Sequence, residues 1–301
     1  MARSPPSPRS GSSTTSPDRV TIADHSSARP ATADARRRDD KDFPYWLVAT
    51  VLIGIAAALG IAASDLYSQI FVTVAQGVWT TIYVTVVAFG LASALGLAMA
   101  LMGLSRFTWL RQVARFYIEI VRGLPILVLL FWIAFAGAPA LVVAYNWVTA
   151  PLQAAGIVDE LLVRDLSLLW RAIIALTVAY SSFIAEIFRA GIEAVPEGQI
   201  DAAKTLGLTR WQRFRHVVWP QAFRTILPPY SNDFIAMVKD SSLVSVLGVA
   251  DIAQMSKIYA AGSFRFFETY SIVAYIYLLL TISLSLVLRG LERRMRRGIE
   301  T

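Results

Sequence analysis

The chain has 301 residues, of which 56% are hydrophobic and 16% are charged, and its mean hydropathy is +0.55. This composition excludes a water-soluble globular domain and is typical of a protein that crosses a membrane several times. The net charge of +7 lies in tails and loops, which indicates membrane orientation and not nucleic-acid binding. With no cysteine and only His25 and His216, the chain offers little for a disulfide framework, a metal site or a redox enzyme.

The N-terminal region combines a polar tail with an apolar run. Residues 1–42 are rich in Ser, Pro, Thr, Ala and Arg, so we expect a disordered, basic, cytosolic tail. The apolar run 45–63 is long enough to span a bilayer, and the tail before it is too long for a signal peptide. We therefore expect a retained membrane helix within residues 43–68.

Further apolar stretches predict the remaining spans, at about 70–104, 116–138, 168–188, 229–249 and 269–288. The first of these exceeds one bilayer thickness and predicts a tilted or extended helix. We expect residues 139–167 to form an outer segment. Basic residues cluster in the N-terminal tail, in the loop 106–115, around 204–215 and in a C-terminal tail, 291–301. An even number of spans places all of them on one side, so we predict an all-α membrane protein of about six transmembrane helices with both termini cytosolic.

Two periodic patterns predict how the spans pack and where their charges pair. Small residues at four-residue spacing let helices approach closely and indicate packing within the chain: Ala92, Gly96 and Ala100. Alternating charges at helical spacing indicate a solvated ladder of ion pairs: Glu186, Arg189 and Glu193.

Residues 196–220 are polar and basic, and they lie between two apolar stretches. Gly207 follows a run with helical periodicity and is suited to the left-handed residue that ends a helix. Thr209 and Gln212 are in capping-box register for a second helix, which we expect Pro220 to end. The segment is therefore predicted to be a helix–turn–helix, exposed as a docking surface.

This segment also carries a specific resemblance. Asp201-Ala202-Ala203, three residues, Gly207, nine residues and Val217-Val218-Trp219-Pro220 resemble the EAA loop of ATP-binding cassette (ABC) importer permeases. The usual form of that loop is Glu-Ala-Ala, three residues, Gly, nine residues, Ile, any residue, Leu-Pro. The chain has Asp for Glu, Val for Ile and the larger Trp219 for Leu. The similarity extends from Arg115 to Asp251, where the phrases EIVRGLPILV and VKDSSLVSVLG resemble the polar amino acid branch of binding-protein-dependent permeases.

The resemblance implies a five-helix permease core, within residues 69–290, to which the first span is an addition. It implies a bacterial inner membrane subunit that binds no cofactor itself, and the chain has no GxxxxGK[S/T] phosphate loop. ATP would be bound by separate ATPase subunits, with a second permease subunit, identical or similar, and an extracytoplasmic solute-binding protein that delivers an amino acid or a close analogue. The resemblance places the ATPase-coupling loop within residues 191–224 and assigns to it Asp201, Ala202, Ala203, Gly207, Arg210, Arg213 and Pro220.

Polar residues inside the predicted spans are candidates for the substrate path. Lys239 and Asp240 lie about 15 Å along a helix from Pro229, near mid-bilayer, where charges are costly and usually face a partner or a wet pathway. Asp240 is the first candidate for substrate contact, and a structural contact between helices is the alternative. Lys239 points about 100° away from it, so no pairing is assumed. The other candidates are Ser241, Ser242, Tyr180 and Ser181, although serines in such helices often bond their own backbone.

A second polar group lies near the start of the predicted span 116–138. Glu119 and Arg122 are three residues apart, share a helix face and can neutralise each other. Gly123 and Pro125 allow the helix to bend there. Two interpretations are equally supported: an ion pair anchored at the cytosolic boundary, and a gate formed by Glu119, Arg122 and Pro125.

Two other classes of function remain open at this point. A secondary transporter or channel would suit the midspan charges but leaves the EAA-like loop unexplained, and no clear inverted repeat relates the two halves. A membrane enzyme is disfavoured because no cluster of His, Cys or carboxylate residues gathers at one membrane depth. The sequence favours the importer permease.

Overall fold

The computed structural model of the chain describes residues 45–297. The tail predicted at 1–42 and the last residues of the tail predicted at 291–301 lie outside the described residues. The described residues divide between Thr50 and Val51 into two units, and the second contains almost all of the helices. Every regular element between residues 45 and 297 is helical, as predicted.

The α-helices, in chain order, are α1 (Tyr45–Ala62), α2 (Asp65–Ala75), α3 (Gly77–Gly103), α4 (Thr108–Gly123), α5 (Ile126–Trp132), α6 (Ala138–Ala154), α7 (Leu168–Glu193), α8 (Glu197–Thr205), α9 (Arg210–Arg213), α10 (Trp219–Asp240), α11 (Ile252–Ser263) and α12 (Phe266–Arg297). Two π-helical turns, Ile133–Gly137 and Phe214–Val218, join α5 to α6 and α9 to α10. A 3₁₀ helix, Ser241–Leu247, continues from α10.

Within the described residues, four helical stretches are long and apolar enough to cross a membrane: Asp65–Gly103, Ile126–Ala154, Leu168–Glu193 and Phe266–Met295. The 39-residue stretch Asp65–Gly103 agrees with the predicted extended helix. A shorter apolar helix, Val48–Ala62, lies where the first span was predicted. Helix α10 has 22 residues, enough to cross, but its charged and polar side chains make it less apolar than these.

The bounds predicted for the third span, 116–138, are wrong. Helix α4 ends at Gly123, and Leu124 is extended with ψ of 138°. A residue before proline avoids the helical region, so the expected bend at Pro125 is a complete break between two helices. The apolar stretch starts only at Ile126 and continues to Ala154. About half of the outer segment predicted at 139–167 is therefore helical.

Two of the prolines inside continuous helices each lie two residues after a π-helical turn. Pro139 follows the turn 133–137, and Pro220 follows the turn 214–218. In the second turn the Trp219 N–H bonds the carbonyl of Phe214, five residues back. Such a wide turn lets a helix continue where a proline removes a bond from the usual ladder. The prediction that Pro220 ends the second hairpin helix is therefore wrong: the helix runs without interruption from residue 210 to residue 240.

The main core lies where α7 packs between α3 and α10. Ala92 and Ala100 are fully buried, and a Cβ added to Gly96 would lie 2.9 Å from the Ser181 carbonyl oxygen. The predicted small-residue face therefore packs within the chain and lets α3 approach α7 closely. A second core joins α2, α11 and α12, and its buried members are Ile70, Val74, Ile252, Ile272 and Ile276.

Candidate functional site

The hairpin, residues 196–220, folds as its local sequence predicts. Gly207 ends α8 with φ of +73°, a left-handed conformation that glycine adopts without strain. Its N–H donates to the Lys204 carbonyl at 2.9 Å. The capping box at the start of α9 is complete, since the Thr209 N–H donates to Gln212 Oε1 at 2.9 Å and the Gln212 N–H donates to Thr209 Oγ1 at 3.4 Å.

A small apolar cluster holds the base of the hairpin against α7 and α10. Its buried members are Val195, Ala222 and Ile226, and Ile200 of α8 packs on it. Ala203 is 3% exposed, whereas Ala202 is exposed. Of the two alanines assigned to the coupling loop, only Ala202 is available to a partner.

The outer face of the hairpin combines exposed apolar side chains with basic ones. Leu206 and Trp211 are 79% and 65% exposed. Trp211 leads a row of aromatic rings with centroids 5.4 to 6.1 Å apart, which continues through Phe214, Trp219 and Phe223. Apolar side chains surrounded by polar ones are typical of a protein interface.

The charges of the hairpin divide into a paired and an unpaired set. Asp201 and Lys204 form an exposed ion pair at 2.7 Å. Within residues 45–297, the three arginines of the hairpin form no ion pair: Arg210, Arg213 and Arg215. They are therefore free to meet acidic groups on another protein.

The structure brings two of the predicted path residues together. The Tyr180 hydroxyl of α7 donates to Asp240 Oδ2 at 2.7 Å, at the end of α10. Lys239 is exposed and forms no ion pair with Asp240. Asp233 lies two helical turns before Asp240, and its Oδ2 is buried without a hydrogen-bond partner. The spacing of seven residues between Asp233 and Asp240 is visible in the sequence and could have identified Asp233 as a candidate site residue.

The serines of the predicted path are not directed at Asp240. The Ser181 hydroxyl bonds the Val178 carbonyl and the Tyr117 hydroxyl, at 2.8 and 2.7 Å. The Ser241 hydroxyl bonds the Val238 carbonyl at 2.8 Å and is fully buried. Ser242 is partly buried. These side chains contribute mainly to packing between and within helices.

A charged cavity of about 360 Å³ lies between α3, α4 and α7. Arg189 bonds both carboxylate oxygens of Glu186 and also Glu193 Oε2, at 2.5 Å for the latter, so the predicted ladder is confirmed. Glu119 and Arg122 do not form the ion pair that was one of the two interpretations of their spacing. The charged lining consists of Arg115, Glu119, Arg122, Glu186, Arg189 and Glu193.

An aromatic side chain connects this cavity with Asp240. The Arg122 guanidinium lies 5.5 Å from the ring centre of Phe183. The ring of Phe183 lies 6.1 Å from that of Tyr180, which bonds Asp240. Pro125 lies at the helix break and outside the cavity lining. Of the three predicted gate residues, the structure therefore places Glu119 and Arg122 in one cavity and Pro125 apart.

Asp251 was not among the predicted site residues, yet it is fully buried. One carboxylate oxygen caps α11 by accepting the Gln254 N–H at 2.8 Å, and the other has no hydrogen-bond partner. Burial raises the pKa of Asp251 to about 6, against a smaller opposing effect of hydrogen bonds and of Lys257. The Asp-x-x-Gln spacing, typical of a helix start, was its sequence signal.

In the part of the chain that the structure describes, no group of three or more His, Cys, Asp or Glu side chains is placed to hold a metal ion.

Comparison with known proteins gives matches over most of the chain. The family model described as "Binding-protein-dependent transport system inner membrane component" matches residues 92–297. The probable amino-acid permease protein YxeN of Bacillus subtilis (strain 168) is 34% identical over 231 residues, which cover 77% of this chain and 95% of YxeN. The glutamine transport system permease protein GlnP of Escherichia coli (strain K12) is 35% identical over 224 residues, covering 73% of this chain and 92% of GlnP.

Solved structures show the same arrangement of helices. The crystal structure of an amino acid ABC transporter with histidines contains a chain that is 35% identical, with a TM-score of 0.62 over 78% of this chain and 98% of that one. The inward-facing MetNI methionine ABC transporter contains a chain that is 20% identical, with a TM-score of 0.56 over 77% of this chain and 99% of that one. Because its sequence identity is only 20%, the second match supports the fold alone.

Proposed function

The chain belongs to the family of binding-protein-dependent transport system inner membrane components, and from that premise we propose that it forms the membrane path of an ATP-driven importer for an amino acid or a close analogue. It is a transport subunit and not an enzyme. The substrate class is supported by relatives that are named as amino-acid and glutamine permeases. The alternative, a transporter that works without an ATPase, gives the hairpin no role.

The hairpin is the observation that carries this proposal. Its outer face presents apolar side chains and free arginines on a base that is fixed by buried residues. We assign to it the docking of separate ABC ATPase subunits, which bind the ATP that this chain does not. A second permease subunit, identical or similar, completes the path, and an extracytoplasmic solute-binding protein delivers the substrate. The predicted coupling residues then face the cytosol, as do both termini.

A continuous helix connects the docking surface with the substrate path. The second arm of the hairpin, the turn 214–218 and α10 form one rod from Arg210 to Asp240. At 1.5 Å per residue such a rod is about 45 Å long. Closure of the ATPases on ATP would push the hairpin, and the rod would carry that displacement to the Tyr180–Asp240 contact. This is a rigid-body switch between two packings of the helix bundle.

Substrate contact is assigned to Asp240 and Tyr180, which a hydrogen bond joins, with Lys239 beside Asp240 and with Ser181, Ser241 and Ser242 in the helix packing around this contact. Glu119 and Arg122 line a charged opening that Phe183 separates from Asp240. We assign them the gate, with Pro125 as the helix break that lets α4 move independently of α5.

The substitution Gly207→Asp tests the proposal directly. A Cβ at Gly207 would meet no atom within 4 Å, so the new carboxylate points outward and interferes with docking, while the positive φ adds backbone strain that a control variant must match. We expect uptake and binding-protein-stimulated ATP hydrolysis, measured in proteoliposomes with the cognate subunits, to fall at least about tenfold, which corresponds to a docking loss of about 1.4 kcal/mol.

A matched control is available in Gly156→Asp. Gly156 also has a positive φ, +69°, and equally open surroundings, but it lies outside the hairpin. Both variants bear the same backbone strain, so only an effect on docking distinguishes them. Undiminished uptake in Gly207→Asp, or an equal loss in both variants, would contradict the coupling role and favour a transporter that works without an ATPase.

A further inference from the structure

We propose that the charged cavity between α3, α4 and α7 binds the zwitterionic head group of a free α-amino acid, as a site at the cytosolic end of the substrate path. This proposal rests on the proposed function, which it deepens by naming a place where the charged head group of the substrate is held. Four observations support the proposal: the charges of the cavity side chains, which of these charges are already paired, the size of the cavity and the connection of the cavity to Asp240.

The charged side chains of the cavity differ in whether they already have partners. Arg189 bonds Glu186 and Glu193, so these three groups are satisfied within α7. The other three lie on α4 at spacings of four and three residues, on one face of that helix. Arg115, Glu119 and Arg122 form no ion pair or hydrogen bond within the described residues. Arg122 interacts with the Glu186 carboxylate only at longer range.

These unpaired groups match a zwitterion better than a simple ion. A guanidinium binds a carboxylate through two parallel hydrogen bonds, which suits Arg115 or Arg122 to the α-carboxylate of an amino acid. The Glu119 carboxylate, next to them on the same face, is suited to the α-ammonium group. An inorganic anion would bring a like charge towards Glu119, and a simple cation would bring one towards the arginines.

The size of the cavity also favours a small solute. Its volume of about 360 Å³ lies at the lower end of the range for small-molecule sites. Ala100 and Gly103 of α3 form part of its wall, and a Cβ on Gly103 would come no closer than 4.0 Å to Arg189 Cδ. A second cavity, of about 710 Å³, is lined almost wholly by apolar side chains and offers no charged group to such a ligand.

The position of the cavity agrees with a holding site on the path. Arg122 contacts Phe183, whose ring lies beside Tyr180, the hydrogen-bond partner of Asp240. A substrate that leaves Asp240 towards the cytosol would pass Phe183 and meet the unpaired groups of α4. Phe183 is therefore placed to separate two successive sites.

The test is equilibrium binding to the purified permease–ATPase complex in phosphatidylcholine nanodiscs, without ATP or binding protein. The probes are the twenty proteinogenic L-amino acids, offered singly, and inorganic phosphate. We expect at least one amino acid to bind the wild-type complex, and its N-acetyl and α-carboxamide derivatives, each lacking one charge, not to bind. Glu119→Gln, which removes the ammonium partner, and Gly103→Leu, which fills the cavity, should each weaken binding at least about tenfold, or 1.4 kcal/mol.

Matched controls separate the cavity from general effects. Gly90→Leu places the same side chain on the same helix at an exposed position with no atom within 4 Å. Glu160→Gln removes an exposed carboxylate outside the cavity. Both should bind like the wild type. Binding that survives Glu119→Gln and Gly103→Leu, binding of phosphate in place of amino acids, or no binding at all would each overturn the proposal.

The failure of this proposal and that of the proposed function are distinguishable in the same preparation. Binding-protein-stimulated ATP hydrolysis reports the coupling role of the hairpin and does not require the cavity to retain a ligand. If stimulation is intact and no amino acid binds in the cavity, only the holding site is wrong. If stimulation of ATP hydrolysis and amino acid binding are both absent, the proposed function and the holding site are both contradicted.

Discussion

The hairpin and the charged cavity are both polar parts of an apolar chain, but the chain builds them differently. The hairpin occupies one continuous segment, 196–220, and its bend depends on a glycine and a capping box whose partners are three residues apart. The cavity combines side chains from α3, α4 and α7, between residues 99 and 193. The first presents a surface that other proteins can reach, and the second encloses a space for a small solute. A local pattern therefore identifies the hairpin, whereas only the packing of helices creates the cavity.

The substitution with the largest expected effect on stability and uptake is Gly191→Val, which disrupts the packing at the base of the hairpin. A Cβ at Gly191 would overlap the side chain of Ile226, so α7 and α10 would have to separate. Overpacking of this kind typically costs about 1–3 kcal/mol. We expect a clearly lower thermal midpoint of the purified chain and a loss of uptake.

Gly198→Val is the control for that substitution, because a Cβ at Gly198 meets no atom within 4 Å. It lies in α8 of the same hairpin and should leave the thermal midpoint almost unchanged. Equal midpoints for the two variants would show that the hairpin does not depend on its contact with α7 and α10.

A smaller effect is expected from Asp251→Asn, and it should depend on pH. The folded pKa of about 6 lies above the unfolded value of 3.8, so the folded chain binds more protons between these values. The free energy of unfolding of the wild type should therefore fall by at most about 3 kcal/mol as the pH rises from about 4 to about 6. It should stay level at higher pH.

Asparagine is suited to keep the cap of α11 but cannot ionise, so its stability should lack this pH-dependent loss. The measurement is the thermal midpoint of both proteins over that pH range. Parallel profiles would mean that Asp251 titrates alike in the folded and the unfolded chain.

The smallest effect on stability should come from Asp201→Asn, which removes the exposed ion pair with Lys204. Both side chains are more than half exposed, and such pairs contribute less than about 1 kcal/mol. We expect an unchanged thermal midpoint, so that any loss of coupled ATP hydrolysis in this variant reports docking. A large drop in the midpoint would show that Asp201 belongs to the structure of the hairpin.

The sequence could predict the features that depend on neighbouring residues, as in the hairpin, better than those that depend on the packing of helices, as in the cavity. The cap at Gly207, the capping box at Thr209 and the ladder around Arg189 involve residues within four positions, and all are confirmed. Pro220 was misread because the π-helical turn that accommodates it depends on a shift in the hydrogen-bond ladder, and composition gives no sign of that shift.

The other differences arise from tertiary structure. Glu119 and Arg122 have the spacing of an ion pair, but the packing of α4 beside α7 directs Arg122 towards Phe183. Asp240 and Tyr180 were both candidates, and their hydrogen bond joins residues sixty positions apart. Helical periodicity predicts which side chains share a face, and it does not predict which helix that face meets.

The most direct test of the account is whether the hairpin and the path move as one body. The sequence has no cysteine, so spin labels can be attached at Arg215→Cys and at Val246→Cys, the latter beyond the end of α10, without first removing a native cysteine. A second pair, Arg215→Cys with Trp109→Cys in α4, is the reference. All three positions are exposed.

Electron–electron distances are then measured in the assembled complex with and without ATP, with labelled chains diluted by unlabelled ones. The account predicts that the 215–246 distance stays constant while the 215–109 distance changes on ATP binding, because the rod from residue 210 to residue 240 carries the motion. A 215–246 distance that changes as much as the reference would contradict it, since the hairpin would then move independently of Asp240.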